Sequence, residues 1–442
     1  MKQRIAAVAV TARDALPTGT GAVGTGLAIA AITSYVFVIM ALNSLEGPSK
    51  AAFSAFWAVV FVAGPGFFLP LEQEVSRALA HRRAIGVGGK PLVQRASRLG
   101  ALITLALVAI GLLATPLLTN ELYHGERLFT LSLGVSLVAF FGTHLTRGVF
   151  AGEGRFRPYG ELLAIDGIVR LLLAVALLIA GIDNAALFAL CIGIAPLIAL
   201  PISLRSQRGL LQPGPDAPYS ELSANIGWLL TASILMQLLA YSPLLGINIL
   251  ATPADEAIVV GFASAFFVAR VPVLLFQSVQ GTLLPKLAGL AGEGKHDEFR
   301  RGLLKLLYIV VGIGVLGAFG SLIAGPFVGK ILFKDFTMSA SGLALLAAGS
   351  GVFIIALTLA QALIALGGLK MSASAWAVGV VIAMAIMSLD LGLELRVDLG
   401  FLFGSLASTV LIGIGLFRRQ ALMKTVGIEG LIEAIEQEPI EI

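Results

Sequence analysis

The chain has 442 residues, of which 57% are hydrophobic and only 13% are Asp, Glu, Lys or Arg, with a net charge of +4. Charged residues make up roughly a quarter of a typical soluble domain, so a globule of this composition would lack the polar surface to cover itself. The apolar excess equally excludes a disordered chain, and what remains is a polytopic membrane protein. Its apolar runs are continuous over about 20 residues rather than alternating over about 10, which makes the spans helices and not barrel strands.

Twelve apolar segments follow one another, at roughly 18–42, 51–71, 99–118, 128–147, 161–181, 185–204, 223–246, 257–282, 304–326, 341–366, 373–390 and 398–417. An even number puts both termini on one side. With the N-terminus inside, 23 of the 30 Lys and Arg fall in inner segments, against 5 in outer loops (Lys50, Arg127, Lys330, Lys334, Arg396) and two within spans, Arg170 and Arg270. That asymmetry places both termini in the cytoplasm. It also accounts for the basic pI of about 9.2 without calling on nucleic acid. The N-terminus is basic, but the apolar stretch after it is of span length and shows no cleavage site, so no signal peptide is read. The lone Cys191 can form no intrachain disulfide. After Arg419 the tail is acidic, with Ile428, Leu431, Ile432 and Ile435 at helical spacing; a short surface helix and a solvated tail fit equally.

The two halves can be laid on each other. Gly21, Thr25 and Tyr35 match Gly227, Thr231 and Tyr241; Ser54-Ala55-Phe56-Trp57 matches Ser264-Ala265-Phe266-Phe267. Pro65 then falls on Pro272, Gln73 on Gln280, and Ala114-Thr115-Pro116 on Ala324-Gly325-Pro326. Successive matches in order indicate a repeat of six spans, and six being even, the repeat is parallel about an axis along the membrane normal. The expected fold is an all-α polytopic membrane protein: twelve transmembrane helices as two pseudo-symmetric six-helix bundles around a central cavity. The lobes are expected at 1–208 and 223–419, joined by a cytoplasmic linker at 209–222 and followed by an acidic tail at 420–442.

One stretch is more specific. Arg147-Gly148, then Gly152, Gly154-Arg155-Phe156 and Tyr159, at the end of the fourth segment, is similar to the Arg-Gly…Gly-x-x-Arg-Phe-x-x-Tyr pattern of polysaccharide-unit flippases of the O-antigen and capsule type. Pro70-Leu71-Glu72-Gln73-Glu74 at the end of the second segment also resembles that family. These flippases lie within the multidrug/oligosaccharidyl-lipid/polysaccharide exporter superfamily, whose members include the MATE-type exporters. The resemblance implies a transporter rather than an enzyme, moving a polyprenyl-diphosphate-linked saccharide across a bacterial plasma membrane by alternating access. It implies membrane lipids and envelope polysaccharide biosynthesis proteins as partners, no nucleic acid, no cofactor, and a monomer.

Charges at mid-membrane depth are costly and are functional candidates by default. Arg170 lies in the fifth segment one helical turn after Asp166, so the two can pair along one face. Arg270, in the eighth, has no acid three or four residues away and needs a partner from elsewhere. Arginine forks suit phosphate oxygens, which makes Arg170 and Arg270, with Asp166, candidates for gripping a diphosphate. Arg147, Arg155 and Arg157 fit anionic head groups, or are topology markers alone. Glu72, Gln73, Glu74 and Gln280 are candidates for lining the inner mouth, or plain interfacial residues. Pro65 and Pro272, at matching points of the repeat, are candidate hinges or ordinary kinks.

Other signals are weak. Gly19-Thr20-Gly21-Ala22-Val23-Gly24 fits G-x-G-x-x-G but follows no strand. No Walker A sequence is present, and the four histidines are scattered, so no metal cluster is read. The competing function is a cation-coupled multidrug exporter of MATE type, which would be expected to need mid-membrane carboxylates. Two central arginines against one aspartate favour an anionic substrate instead.

Overall fold

The computed structural model describes residues 20–222, 226–273, 276 and 295–437. Among them, twelve helices are long and apolar enough to cross a membrane, as the hydropathy pattern predicts. In chain order they are α1 (Thr20–Ser44), α2 (Gly47–Ala84), α3 (Lys90–Leu113), a short α4 (Thr115–Glu121) that does not span, α5 (Leu128–Gly152), α6 (Phe156–Ile179) and α7 (Ala185–Leu204). Then come α8 (Ile226–Leu250), α9 (Glu256–Ala269), α10 (His296–Leu332), α11 (Ala340–Ala365), α12 (Leu369–Met387) and α13 (Leu393–Gln437).

Local chemistry explains where these helices depart from the apolar runs. The segment expected at 99–118 stops at Leu113, and Pro116 opens α4 instead, because proline fits the first turn of a helix but not its interior. The segment expected at 257–282 breaks at Arg270, two residues ahead of Pro272. By contrast α2 runs unbroken through Pro65 and Pro70 for 38 residues. At 1.5 Å per residue that is about 57 Å, well beyond a hydrocarbon core of about 30 Å. Its last turn carries His81, Arg82 and Arg83, where cations suit the negative end of the helix. The backbone of the expected tail continues α13 as far as Gln437.

Two compact units divide the chain: Met1–Leu230 with Leu332–Lys334, and Thr231–Ile331 with Asp335–Ile442. In the first, α1 packs on α6, α2 on α5, α5 on α7 and α6 on α7. In the second, α9 packs on α11, α11 on α13 and α12 on α13. The second-with-fourth, fourth-with-sixth and fifth-with-sixth pairings of spans thus recur, as the sequence repeat requires. Lipid tails are as apolar as leucine, so these contacts rest on close packing and interhelical hydrogen bonds. Gly26 of α1 faces Gly160 of α6 so tightly that a Cβ on either would strike the other helix's backbone. Ser132 Oγ donates to Ala186 O at 3.0 Å and Ser408 Oγ to Ala375 O at 3.2 Å. Large apolar side chains such as Leu105, Leu113, Ile323 and Phe327 are exposed, as lipid-facing positions should be.

The expected linker at 209–222 is bolted to the first unit. Arg82, buried at the end of α2, donates to both carboxylate oxygens of Glu221 at 2.7 and 2.8 Å, and to the carbonyls of Gly88, Pro215 and Asp216. Arg95 pairs with Asp216 at 2.7 Å and lies over the Tyr219 ring. Ala217 and Leu222 complete an apolar cluster with Leu71, Val75 and Leu92.

Candidate functional site

The motif Arg147-Gly148…Gly152 lies on α5 where that helix crosses α2. A Cβ at Gly148 would fall 2.7 Å from the Glu72 carbonyl, and one at Gly152 would meet Leu79 and the Ser76 carbonyl. Glycine at these points is what lets α5 press against α2. The chain then turns at Gly154, whose φ of +70° favours glycine, and enters α6 with Tyr159 in its first turns.

This crossing assembles a buried polar network around Glu72, itself only 6% exposed. Glu72 Oε2 lies 2.7 Å from His144 Nδ1. Glu72 Oε1 accepts from the Tyr159 hydroxyl at 2.9 Å and pairs with the Arg147 guanidinium at 3.2 Å. Arg147 in turn donates to Tyr159 Oη through Nε and Nη2 at 3.1 and 2.8 Å, with its fork 5.1 Å from the Tyr159 ring centre. Three helices thus contribute one carboxylate, one imidazole, one guanidinium and one phenol, each bonded to another. Buried charges persist only with such partners.

A second pair lies further along α6. Arg170 Nη2 reaches both Asp166 oxygens at 2.7 and 2.8 Å, and Nη1 donates to Ser34 Oγ of α1 at 3.2 Å. Arg170 is buried, and its Nε has no hydrogen-bond partner among the described residues.

Arg270 belongs to the second unit and is held differently. Its guanidinium lies 4.9 Å from the ring centres of Tyr241 and of Phe266, two neighbouring aromatic rings whose centres are 6.1 Å apart. It donates to the Ala240 carbonyl, and among the described residues no carboxylate pairs with it. Cation–π contacts of this kind hold a guanidinium without neutralising it.

The remaining sequence candidates among the described residues are not brought to these clusters. Gln73 is exposed although its neighbours Glu72 and Glu74 are buried, so it faces away from the network. Pro65 is an interior residue of an unbroken helix. Pro272 sits just past the break at Arg270, against Gly317 of α10. Gln280 lies outside the described residues. Reading the sequence alone missed Glu72 as more than an interfacial acid, and passed over His144 and Tyr159. The signal was available: His144 and Arg147 are one turn apart, and Tyr159 closes the very motif that carries the flippase resemblance.

No protein-family model matches the chain. Of proteins similar to it in sequence, Rv1510 of Mycobacterium tuberculosis strain H37Rv is 27% identical over 410 residues, 90% of this chain and 92% of that one. Rv3630 of the same strain is 25% identical over 400 residues, 89% of each chain. Both are described as uncharacterized. Solved structures define the fold. A MOP superfamily transporter from Pyrococcus furiosus, described as having a binding pocket of reverse polarity that suggests a different function, superposes with a TM-score of 0.68 at 14% identity over 92% of this chain and 96% of that one. A multidrug resistance MATE family transporter of the same superfamily superposes in its outward-facing conformation with a TM-score of 0.65, at 18% identity over 91% and 95% of the two chains. A multidrug resistance MATE family transporter of that superfamily in an inward-facing conformation superposes with a TM-score of 0.65, at 16% identity over 89% of this chain and 94% of that one. The fold is therefore that of the MATE transporters, carried by an all-helical chain with twelve candidate transmembrane helices.

Proposed function

We propose that the chain is an exporter that flips a polyprenyl-diphosphate-linked saccharide across the plasma membrane by alternating access, as a monomer and without a cofactor. The fold supports the transport half of this reading, since solved transporters with the same fold occur in inward-facing and outward-facing conformations. Arg270 carries the substrate half. A guanidinium at a break in a membrane helix, held on aromatic faces with no paired carboxylate among the described residues, is prepared for an anion. A diphosphate accepts its remaining N–H donors bidentately. Arg170 is a reserve donor that must first exchange Asp166 for phosphate oxygens.

The multidrug alternative needs a carboxylate available to a lipophilic cation, and in the first unit's clusters Glu72 and Asp166 are both committed to arginines. Binding to the purified protein in nanodiscs separates the two readings. A polyprenyl-diphosphate saccharide should bind, and Arg270→Ala should weaken it by roughly 1.5 kcal/mol or more, the worth of a hydrogen bond to a charged group. Binding of a drug cation, with Arg270→Ala neutral, would replace the flippase reading with the drug-exporter one.

A further inference from the structure

The first unit carries a groove that the proposed transport chemistry does not use. It has a volume of about 330 Å³ and is lined by residues of α3, α5 and α7. Because α5 packs on both other helices and supplies most of the lining, it forms the floor and they form the walls. Gly111 and Leu112 line the groove from α3, Leu197 from α7, and Leu131, Gly134 and Val138 from α5. Thr130 is the one polar residue of this lining, and the rest are aliphatic or glycine. Leu112, Leu131, Val138 and Leu197 are exposed, and a Cβ on Gly134 would meet nothing within 4 Å. The trough is therefore open to the bilayer and not filled by the protein.

Arg127 stands at one end of it. This residue caps the start of α5, four positions ahead of Leu131, so helical geometry sets it over the same face as the floor. Arg127 is exposed, and among the described residues no carboxylate pairs with it. The adjacent Glu126 accepts from Asn184 at 3.4 Å instead. The loop that holds Arg127 is one that the charge asymmetry of the sequence puts outside. Arg127 and Val138 are eleven residues apart, about 16 Å along the helix axis, which is close to half of a hydrocarbon core of about 30 Å. We propose that the groove seats an acyl chain of an anionic phospholipid of the outer leaflet, with the lipid phosphate gripped by Arg127. A guanidinium fork suits phosphate oxygens, and the positive end of α5 favours the same charge. A polyprenyl tail is longer than one leaflet and would overrun the trough, which assigns it to a resident lipid. The site does not depend on what the chain transports.

The test uses the full-length protein, delipidated in detergent micelles, with native mass spectrometry counting the lipid it retains. Phosphatidylglycerol, phosphatidylcholine of the same chain length and a polyprenyl diphosphate are titrated separately. Phosphatidylglycerol should bind saturably and in preference to the other two. Arg127→Gln should weaken it roughly tenfold, the scale of a lost hydrogen bond to a charged group, and bring it level with phosphatidylcholine. Gly134→Leu fills the open trough and should weaken both phospholipids. Both positions face outward, and an unchanged helical circular dichroism spectrum checks that each variant folds. The proposal fails if no phospholipid binds saturably, or if phosphatidylglycerol binding survives both variants. It fails if Arg127→Gln alone weakens binding, because the head group is then held without the groove. Tighter binding of the polyprenyl diphosphate would also overturn it, by making the groove a station for the transported lipid.

Discussion

Glu72 and Arg147 illustrate what a buried ion pair does to single substitutions. Removing one partner strands the other charge, and the cost of an uncompensated buried charge is about 3–5 kcal/mol. Glu72→Gln should therefore lower stability by about that amount in a denaturant titration in micelles, because Arg147 loses its countercharge and one of the two carboxylate oxygens that face Arg147 and His144 becomes an amide nitrogen. The double variant Glu72→Gln/Arg147→Gln should cost clearly less than the two single changes added, as it does for residues in one network. Additive losses would show the contact to be incidental. At Asp166 the outcome separates function from architecture. Asp166→Asn frees Arg170 from its local partner, so diphosphate affinity should rise several-fold if Arg170 serves the substrate. Unchanged affinity with a lower melting temperature would make the pair structural.

At the scale of elements, the α2–α5 crossing and the docked linker make separate predictions. Gly148→Ala puts a methyl 2.7 Å from the Glu72 carbonyl, and overpacking of this kind costs about 1–3 kcal/mol. The linker prediction concerns pH. The hydrogen bond from Arg82 holds the Glu221 carboxyl below its ordinary value of 4.5, and the hydrogen bond from Arg95 does the same for Asp216. A carboxyl lowered in the folded state adds stability above its unfolded pKa and loses it as pH falls through the folded one. Linker docking should therefore be complete at neutral pH and loosen as pH drops below 4.5. Hydrogen exchange of the backbone at 209–222 should show protection falling over that window, and falling at neutral pH in Arg82→Gln. Protection that ignores both pH and Arg82 would assign the docking to the apolar contacts of Ala217 and Leu222 alone.

At the scale of the whole molecule, the charge asymmetry of the loops predicts the topology. In a Cys191→Ala background, a cysteine at the exposed Arg157 should react with an impermeant maleimide only from the cytoplasmic side. Cysteines at the exposed Asp183 and Asp390 should react only from outside. The reverse pattern would invert the orientation.

Sequence alone determined the class, the number of spans and the repeat, because each depends on local quantities. Hydropathy over about 20 residues sets a span, and matched residues at a nearly constant offset reveal the duplication. It also picked out Arg170, Asp166 and Arg270, since a charge inside an apolar run is visible without any fold. Span boundaries were legible only in part: Lys50, counted with an outer loop, is buried within α2, and the prolines at 65 and 70 are absorbed by a helix that the one at 272 interrupts. Whether a proline breaks a membrane helix depends on neighbours that can satisfy the freed carbonyls, and those neighbours are set by tertiary packing. The same holds for the polar residues. Glu72 and Gln73 are adjacent in sequence and equally polar, yet a helix turns successive residues by 100°, so one meets His144, Arg147 and Tyr159 while the other faces outward. Only the packing of α2 against α5 and α6 decided which it was.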